Sequence, residues 1–463
     1  MFIGRERELK KLNELYKVKG FQFPVIYGRR RVGKTALINE FVKNKKVIFI
    51  TGIESNAKQN LENFSRAILS SESNVPDAAV FQSFKAALEY VFQLAKKERL
   101  ILVIDDYPYI AKAFAGLSST LQALIEKNKE SSKLFLILCG SSMSFMEKHL
   151  LANKAPLYSR KTAQLEVLPF DFFESRNCLK RFSRENMAVI YGAVGGIPKY
   201  LLQMNDRLPL DENIKHCFLD ASSPLFEEPI NLLKQEVREP ATYNAILAAV
   251  AAGNSKLTEI STKAGIETGA CAMQIKNLIS LGIVKKEMPL AGKTNRKTIY
   301  QIEDNLFRFW YRFVPDNIAA ISRGMADDVY EKISTMINDY MDTAFEDICK
   351  QYLWKQREQG RVDVKFTDLG RWWGNGAGNR REAGIDIMGV DGKGGALFCE
   401  CKWTNEKVDV SVLEALMERS ELFRNKKVRF YLFAKRGFTK KCVEKARTAG
   451  NVKLVAFSEM CHK

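Results

Sequence analysis

The stretch that most restricts this chain is Gly28-Arg-Arg-Arg-Val-Gly33-Lys34-Thr35. An apolar run, Phe23-Pro-Val-Ile-Tyr27, leads into it, and the helical pattern Ala36-Leu-Ile-Asn-Glu-Phe-Val42 follows. Strand, G-x-x-x-x-G-K-[ST] and helix in that order read as a phosphate cradle. Glycines at 28 and 33 let the backbone turn tightly, so that its N–H groups and the helix N-terminus face an anion. Lys34 is spaced to reach β- and γ-phosphate oxygens, and Thr35 to give a hydroxyl to Mg²⁺. The expected nucleotide-binding set is therefore Gly28, Arg29, Arg30, Arg31, Val32, Gly33, Lys34, Thr35 and Ala36.

Such a loop binds; hydrolysis needs an acid at the end of a neighbouring buried strand. Arg99-Leu-Ile-Leu-Val-Ile-Asp105-Asp106 supplies one, since a continuous apolar run reads as a parallel strand covered on both faces. Asp105 is the expected Mg²⁺-shell acid beside Thr35, and Asp106 the residue that polarises the attacking water. Strands are also expected at 46–50, 133–139 and 164–168, with Gly140-Ser141-Ser142 at the carboxyl edge where open α/β sheets bind ligands.

Six segments together resemble the archaeal-type ATPase family, AAA-related P-loop ATPases within the broader STAND group. They are Phe2-Ile-Gly-Arg-Glu-Arg-Glu-Leu9, the loop above, Ile104-Asp-Asp-Tyr-Pro108, Cys139-Gly-Ser-Ser142, Ala155-Pro-Leu-Tyr-Ser-Arg-Lys-Thr162 and Gly195-Gly-Ile-Pro-Lys-Tyr200. The resemblance covers about the first half of the chain. It implies ATP as the nucleotide, the Gly4-Arg5 segment near the adenine, Pro198 packed against the nucleotide and Arg160 directed to the γ-phosphate. Two positions depart from the family pattern: Asp106 stands where Glu is usual, and Ser159 where Gly is. Slow hydrolysis, or switching in place of turnover, follows from those departures.

Residues 170–235 carry helical patterning and few strand signals. Thr242 to Val250, Lys256 to Lys263 with Ser255 as its cap, and Thr268 to Leu281 read as three helices. Ile283 to Met288, a polar turn at 291–297 and Thr298 to Ile302 read as a hairpin, so the module resembles a winged helix-turn-helix. On DNA, the helix from Thr268 would enter the major groove with Gln274 and Lys276, while Lys293, Arg296 and Lys297 would meet phosphates. The aromatic stripe Asp304-Asn-Leu-Phe-Arg-Phe-Trp-Tyr-Arg-Phe313 is expected in the core, not as a base-stacking platform.

From about residue 335 the pattern changes again. Arg380-Arg-Glu382-Ala-Gly-Ile-Asp386-Ile-Met-Gly-Val390 is followed by a glycine-rich turn and Ala396-Leu-Phe-Cys-Glu400-Cys401-Lys402-Trp403. Strand alternation sends Glu400 and Lys402 to one face. Charges on an otherwise buried strand are costly unless a cleft supplies partners, so a polar site is expected here. Asp386 and Glu400 are its candidate Mg²⁺ ligands, and Lys402 would orient a nucleophile or offset phosphate charge. The spacing resembles the PD-(D/E)xK nuclease family, in the form that follows archaeal-type ATPase domains. That resemblance adds Glu346, on the preceding helix, as a further metal-site acid, and Glu382 more weakly.

At 463 residues the chain exceeds what one core organises. The expected domains are 1–168, a P-loop core; 169–236, a helical lid; 237–315, the winged helix; and 330–463, a restriction-endonuclease-like α/β domain. No apolar run is long enough to span a bilayer and the first residues lack a signal peptide's core, so a cytoplasmic protein is expected. Nine cysteines, with Cys399-x-Cys401 the only close pair, indicate neither a disulfide framework nor a zinc site. The net charge of +18 divides into +9 over residues 1–50, +7 over residues 341–463 and a near-neutral middle. The N-terminal share surrounds the phosphate loop. The C-terminal share points to DNA as a partner, with salt-sensitive binding. The whole reads as a Mg-ATP-hydrolysing ATPase coupled to a DNA-acting nuclease domain; the competing reading is an ATP-dependent switch with a catalytically silent nuclease-like domain. Assembly as a homo-oligomer stays open in both.

Overall fold

The computed structural model describes residues 2–71, 80–290, 298–375 and 382–461, with the side chains of Asn375 and Glu382 excepted. Two compact units emerge, Met1–Pro169 with Ile197–Lys199, and Phe170–Gly196 with Tyr200–Lys463.

The first unit opens with helix α1 (Glu6–Lys17) and then alternates strand and helix. Strand β1 (Pro24–Tyr27) enters α2 (Lys34–Val42), and β2 (Val47–Thr51) is followed by α3 (Ala57–Leu69) and α4 (Phe84–Lys97). Next come β3 (Leu100–Asp105), α5 (Tyr107–Ala113), α6 (Leu117–Asn128), β4 (Leu134–Gly140) and β5 (Ala163–Glu166). The strands form one parallel sheet in the order β2-β3-β4-β1-β5. Every residue of β3 and β4 is buried, as their unbroken apolar sequence requires when helices cover both faces. Apolar faces of α3, α4 and α6 complete the core through Phe64, Leu88, Phe92 and Leu121. One expectation needs correcting: the acid-bearing β3 is not beside β1, because β4 lies between them. The helical crossovers are long enough to skip a position, and nothing in a strand's own sequence records its lateral neighbour.

The second unit begins with helices, among them α7 (Arg184–Val194), α8 (Leu210–Phe218) and α9 (Pro224–Glu236). Helices α10 (Pro240–Ala251), α11 (Leu257–Ala264) and α12 (Thr268–Ser280) precede an antiparallel pair, β6 (Val284–Glu287) and β7 (Ile299–Ile302). The cap of α11 is Lys256, not Ser255; the Glu259 carboxylate accepts the backbone N–H groups of both residues and sets the helix start one position later. The aromatic stripe forms α13 (Asn305–Phe313), whose Leu306, Phe307, Phe309, Trp310, Tyr311 and Phe313 are buried, so it is core as expected. The proposed wing contacts Lys293, Arg296 and Lys297 lie outside the described residues.

A single helix, α14 (Ala326–Glu358), starts ahead of the boundary expected at 330 and carries the chain into a five-stranded mixed sheet. Its strands are β8 (Asp368–Asn375), β9 (Glu382–Val390), β10 (Gly395–Lys402), β11 (Lys427–Ala434) and β12 (Val452–Ala456), ordered β12-β11-β10-β9-β8. The β8–β9 and β9–β10 pairs are antiparallel, while β10–β11 and β11–β12 are parallel. Helices α15 (Val410–Ser420) and α16 (Lys440–Ala449) supply the crossovers, with Leu413, Leu416 and Cys442 packed on Phe398 and Leu432. At the β8 edge the Leu290 N–H donates to the Arg371 carbonyl over 2.8 Å, and the Leu290 side chain lies over Gly370.

Candidate functional site

In the first unit, β1 delivers the chain into the turn at Gly28, where φ is +147° and an added Cβ would stand 2.4 Å from the Val167 carbonyl oxygen. Only glycine fits that approach. Arg31 and Gly33 also take positive φ, 71° and 91°, which curls the loop onto the start of α2. The Lys34 ammonium donates to the carbonyls of Gly28 and Arg29 at 2.9 and 2.8 Å. Burial pulls the Lys34 pKa down, against the opposite pull of Cys139, Asp105 and Asp106. A buried ammonium held over a loop of this curvature is a built anion site.

The Thr35 hydroxyl donates to Asp105 Oδ2 over 2.6 Å, although their strands are not adjacent. Asp105 Oδ1 takes the backbone N–H of Asp106 at 3.0 Å. Asp106 has φ of +48°, a left-handed conformation that Asp tolerates better than most residues, and Ser141 Oγ donates to its Oδ1 at 3.4 Å. Burial, then the neighbouring Asp105, pushes the Asp106 pKa up; Lys34 and Arg30 restrain it. Hydroxyl and carboxylate in direct contact are the donor pair Mg²⁺ takes when water and phosphate complete its shell. The residues present therefore fit a Mg-nucleotide.

Two residues carried by the resemblance also meet the loop. Pro198 Cγ is the nearest side-chain atom to a Cβ built at Gly33, at 3.9 Å, and buried Arg5 donates to the Val32 carbonyl over 2.9 Å. Val32 is buried, whereas Ala36 is exposed on α2. Arg30 donates to the Tyr109 hydroxyl over 3.3 Å, a partner the sequence did not single out. Arg160, by contrast, forms an ion pair with Glu126 of α6 and also bonds to Ser159.

The second group lies in the mixed sheet. Beyond the last paired residues Ile387 and Cys399, Asp386 and Glu400 come opposite each other, and Asp386 Oδ2 accepts the Cys401 N–H at 2.9 Å. Glu400 is almost wholly buried; its Oε1 lies 2.8 Å from Lys402 Nζ and its Oε2 3.0 Å from an Arg419 guanidinium nitrogen. On α14, buried Glu346 pairs with Arg371 of β8 at 3.4 Å. Burial, with Arg371 opposing and Asp386 reinforcing, pushes the Glu346 pKa up to about 7. Burial and Asp386 raise Glu400 likewise, against Lys402 and Arg419. These electrostatic couplings bring Glu346, Asp386, Glu400 and Lys402 into one neighbourhood.

Asp342, one turn before Glu346 on α14, joins the same neighbourhood and was missed from sequence, as were Arg371 and Arg419. Burial raises the Asp342 pKa, while the Trp403 N–H and Lys402 lower it. The i, i+4 spacing of Asp342 and Glu346 was the available signal; the two arginines come from separate elements and left none. Among the described residues no group of three or more His, Cys, Asp or Glu side chains is arranged to hold a metal ion. The acids fit a cation that takes one or two carboxylates and fills its shell with water and phosphate, provided the cations now on Glu400 give way.

A parallel sheet with a glycine-turned anion loop, Lys34 over it and a Thr35–Asp105 pair beside it defines an ATP-binding P-loop ATPase. Residues 2–204 match the family described as an ATPase domain predominantly from Archaea, and residues 310–413 match one described as archaeal and bacterial proteins of unknown function. An uncharacterized protein of Methanocaldococcus jannaschii is 34% identical over 413 residues, covering 88% of each chain. An uncharacterized ATP-binding protein of the same organism is 45% identical over 47 residues, 10% of this chain and 80% of its own. The Walker-type ATPase of Pyrococcus abyssi superposes with a TM-score of 0.52 at 19% identity, covering 67% of this chain and 96% of that one, a likeness of fold. The chain belongs to the archaeal ATPase family. No helix among the described residues is long and apolar enough to cross a membrane.

Proposed function

We propose that this ATPase uses its nucleotide state to drive a C-terminal nuclease-like domain that acts on DNA, joined to the ATPase through a winged helix-turn-helix, in the cytoplasm. In this reading residues 169–236 are a lid, α10 to β7 the winged helix, and residues 330–463 the PD-(D/E)xK-type domain. The observation that carries it is the meeting of Asp386, at the middle of β9, with Glu400 and Lys402, at the end of β10, in a chain end of charge +7.

At the first site, Lys34 and the loop N–H groups would hold the phosphates, with Thr35 and Asp105 on the metal side. Asp106, its pKa raised by burial and by Asp105, is suited to accept a hydrogen bond from water, and Arg160 would face a γ-phosphate after leaving Glu126. At the second, Asp386 and Glu400 would hold Mg²⁺, which supplies Lewis-acid polarisation of water and phosphate when bound. Lys402 would orient the nucleophile, its ammonium kept charged by Glu400 and Asp386 against burial. The ion-paired state of Glu400 favours a second reading, a binding module without cleavage.

The test is incubation of supercoiled and branched DNA with the full chain in Mg²⁺, with and without ATP. Asp386→Ala and Lys402→Ala should each abolish nicking and cutting; products formed as fast as by the parent would remove the assigned site. Binding without cleavage by the parent would favour the second reading.

A further inference from the structure

Both oxygens of Glu400 carry a cation, and the two cations are held differently. Lys402 reaches Oε1 from two positions along its own strand. Arg419 comes from α15, and its guanidinium spans two strands: one terminal nitrogen donates to the Gly384 carbonyl of β9, the other to Glu400 Oε2 at 3.0 Å. A third contact, Arg419 Nε to the Ala415 carbonyl at 3.0 Å, fixes the fork's plane. A planar guanidinium anchored at three points is preorganised for its carboxylate in a way that a lysine on a flexible stem is not. The Arg419 side chain is three-quarters buried and Glu400 nearly fully so, so the pair is little screened by solvent.

The consequence for a divalent cation is direct. A metal takes a carboxylate oxygen through a free lone pair, and a positive charge beside that oxygen weakens its hold. While Arg419 is seated, one lone pair of Glu400 Oε2 is taken by its hydrogen bond and the guanidinium charge stands 3.0 Å away, where it repels an incoming cation. We propose that Arg419 is a positioning residue of the C-terminal acid site, a built-in counter-ion that occupies Glu400 and competes with a divalent metal for it. This rests on the reading of Asp386 and Glu400 as metal ligands. Loading then requires the guanidinium to leave, so that the acids bind metal weakly at rest despite their number.

The experiment is Mn²⁺ binding to the full chain without nucleotide or DNA, read by electron paramagnetic resonance of free Mn²⁺. The C-terminal component is taken as the part that Asp386→Ala removes. Arg419→Gln keeps a donor for the Gly384 carbonyl and removes the charge, and should tighten that component roughly tenfold, the scale on which partners of ligating groups tune affinity. Arg419→Lys keeps the charge and should stay within about twofold of the parent, on the same scale. An Asp386-dependent site whose affinity is unchanged or weaker in Arg419→Gln overturns the role of Arg419 and leaves the metal site standing. Equal tightening in both variants also overturns it, since charge would then not be the cause. Absence of any Asp386-dependent Mn²⁺ component in every form overturns both the proposal and the metal reading.

Discussion

Thr35 Oγ1 and Asp105 Oδ2 lie 2.6 Å apart although the strands that carry them are separated by β4. The contact joins the first turn of α2 to the carboxyl end of β3. Hydroxyl and carboxylate are thus held in one place by two separate elements.

Lys34→Ala should abolish ATP-dependent phosphate release, by at least about 100-fold, since removing a preorganised charge from a transferring phosphoryl group costs that much or more. Release measured in single-turnover mode should fall with it. A residual rate equal to the parent's would assign the activity to another protein in the preparation.

Arg160 offers a sharper test, because its only described partners, Glu126 and Ser159, are surface groups. An exposed pair contributes little to folding, so Arg160→Ala should leave the melting temperature near the parent's. If Arg160 serves the γ-phosphate, kcat should drop while nucleotide affinity, measured by fluorescent-analogue titration, stays the same.

Asp347 of α14 lies 3.8 Å from each of Lys285 on β6, Arg308 on α13 and Lys350 on its own helix. These three cations hold its carboxyl below the usual range in spite of burial. Asp347→Asn should remove the counter-charge they share and lower the stability of the second unit by roughly 2 kcal/mol, short of the ~3–5 kcal/mol of a fully buried pair. The check is the urea midpoint at constant slope.

Glu346 sets a pH dependence of the opposite kind to most acids. Its folded pKa, about 7, lies above its ordinary value, so between the two the folded chain retains a proton that the unfolded chain gives up. Stability should therefore decline as pH rises from about 4.5 to about 7, and level off above. Glu346→Gln should flatten that limb of the urea midpoint against pH; an unchanged slope would exclude Glu346 as its source.

What the sequence made legible was whatever it stores contiguously. The phosphate loop, the Asp105 strand end and the Glu400–Lys402 alternation each lie within a few residues, and their chemistry follows from spacing. The order of strands was not readable, because β3 and β4 are equally apolar and either could have lain beside β1. Arg371 and Arg419 stayed hidden for a related reason: each acquires meaning only through a carboxylate delivered by another element. The cap of α11 moved by one residue because Glu259, three positions downstream, decides it, not the hydroxyl of Ser255.

The hydrogen bond from Leu290 to Arg371 has a bearing on solubility. A strand at the rim of a sheet presents unused donors and acceptors to any extended peptide, and that is how chains pair out of turn and grow into fibrils. With the Arg371 carbonyl already taken and a leucine seated over Gly370, the β8 rim is interrupted at its centre by the chain's own backbone. An intruding strand would meet a broken ladder there, so this border is guarded against self-association without any charge being spent on it.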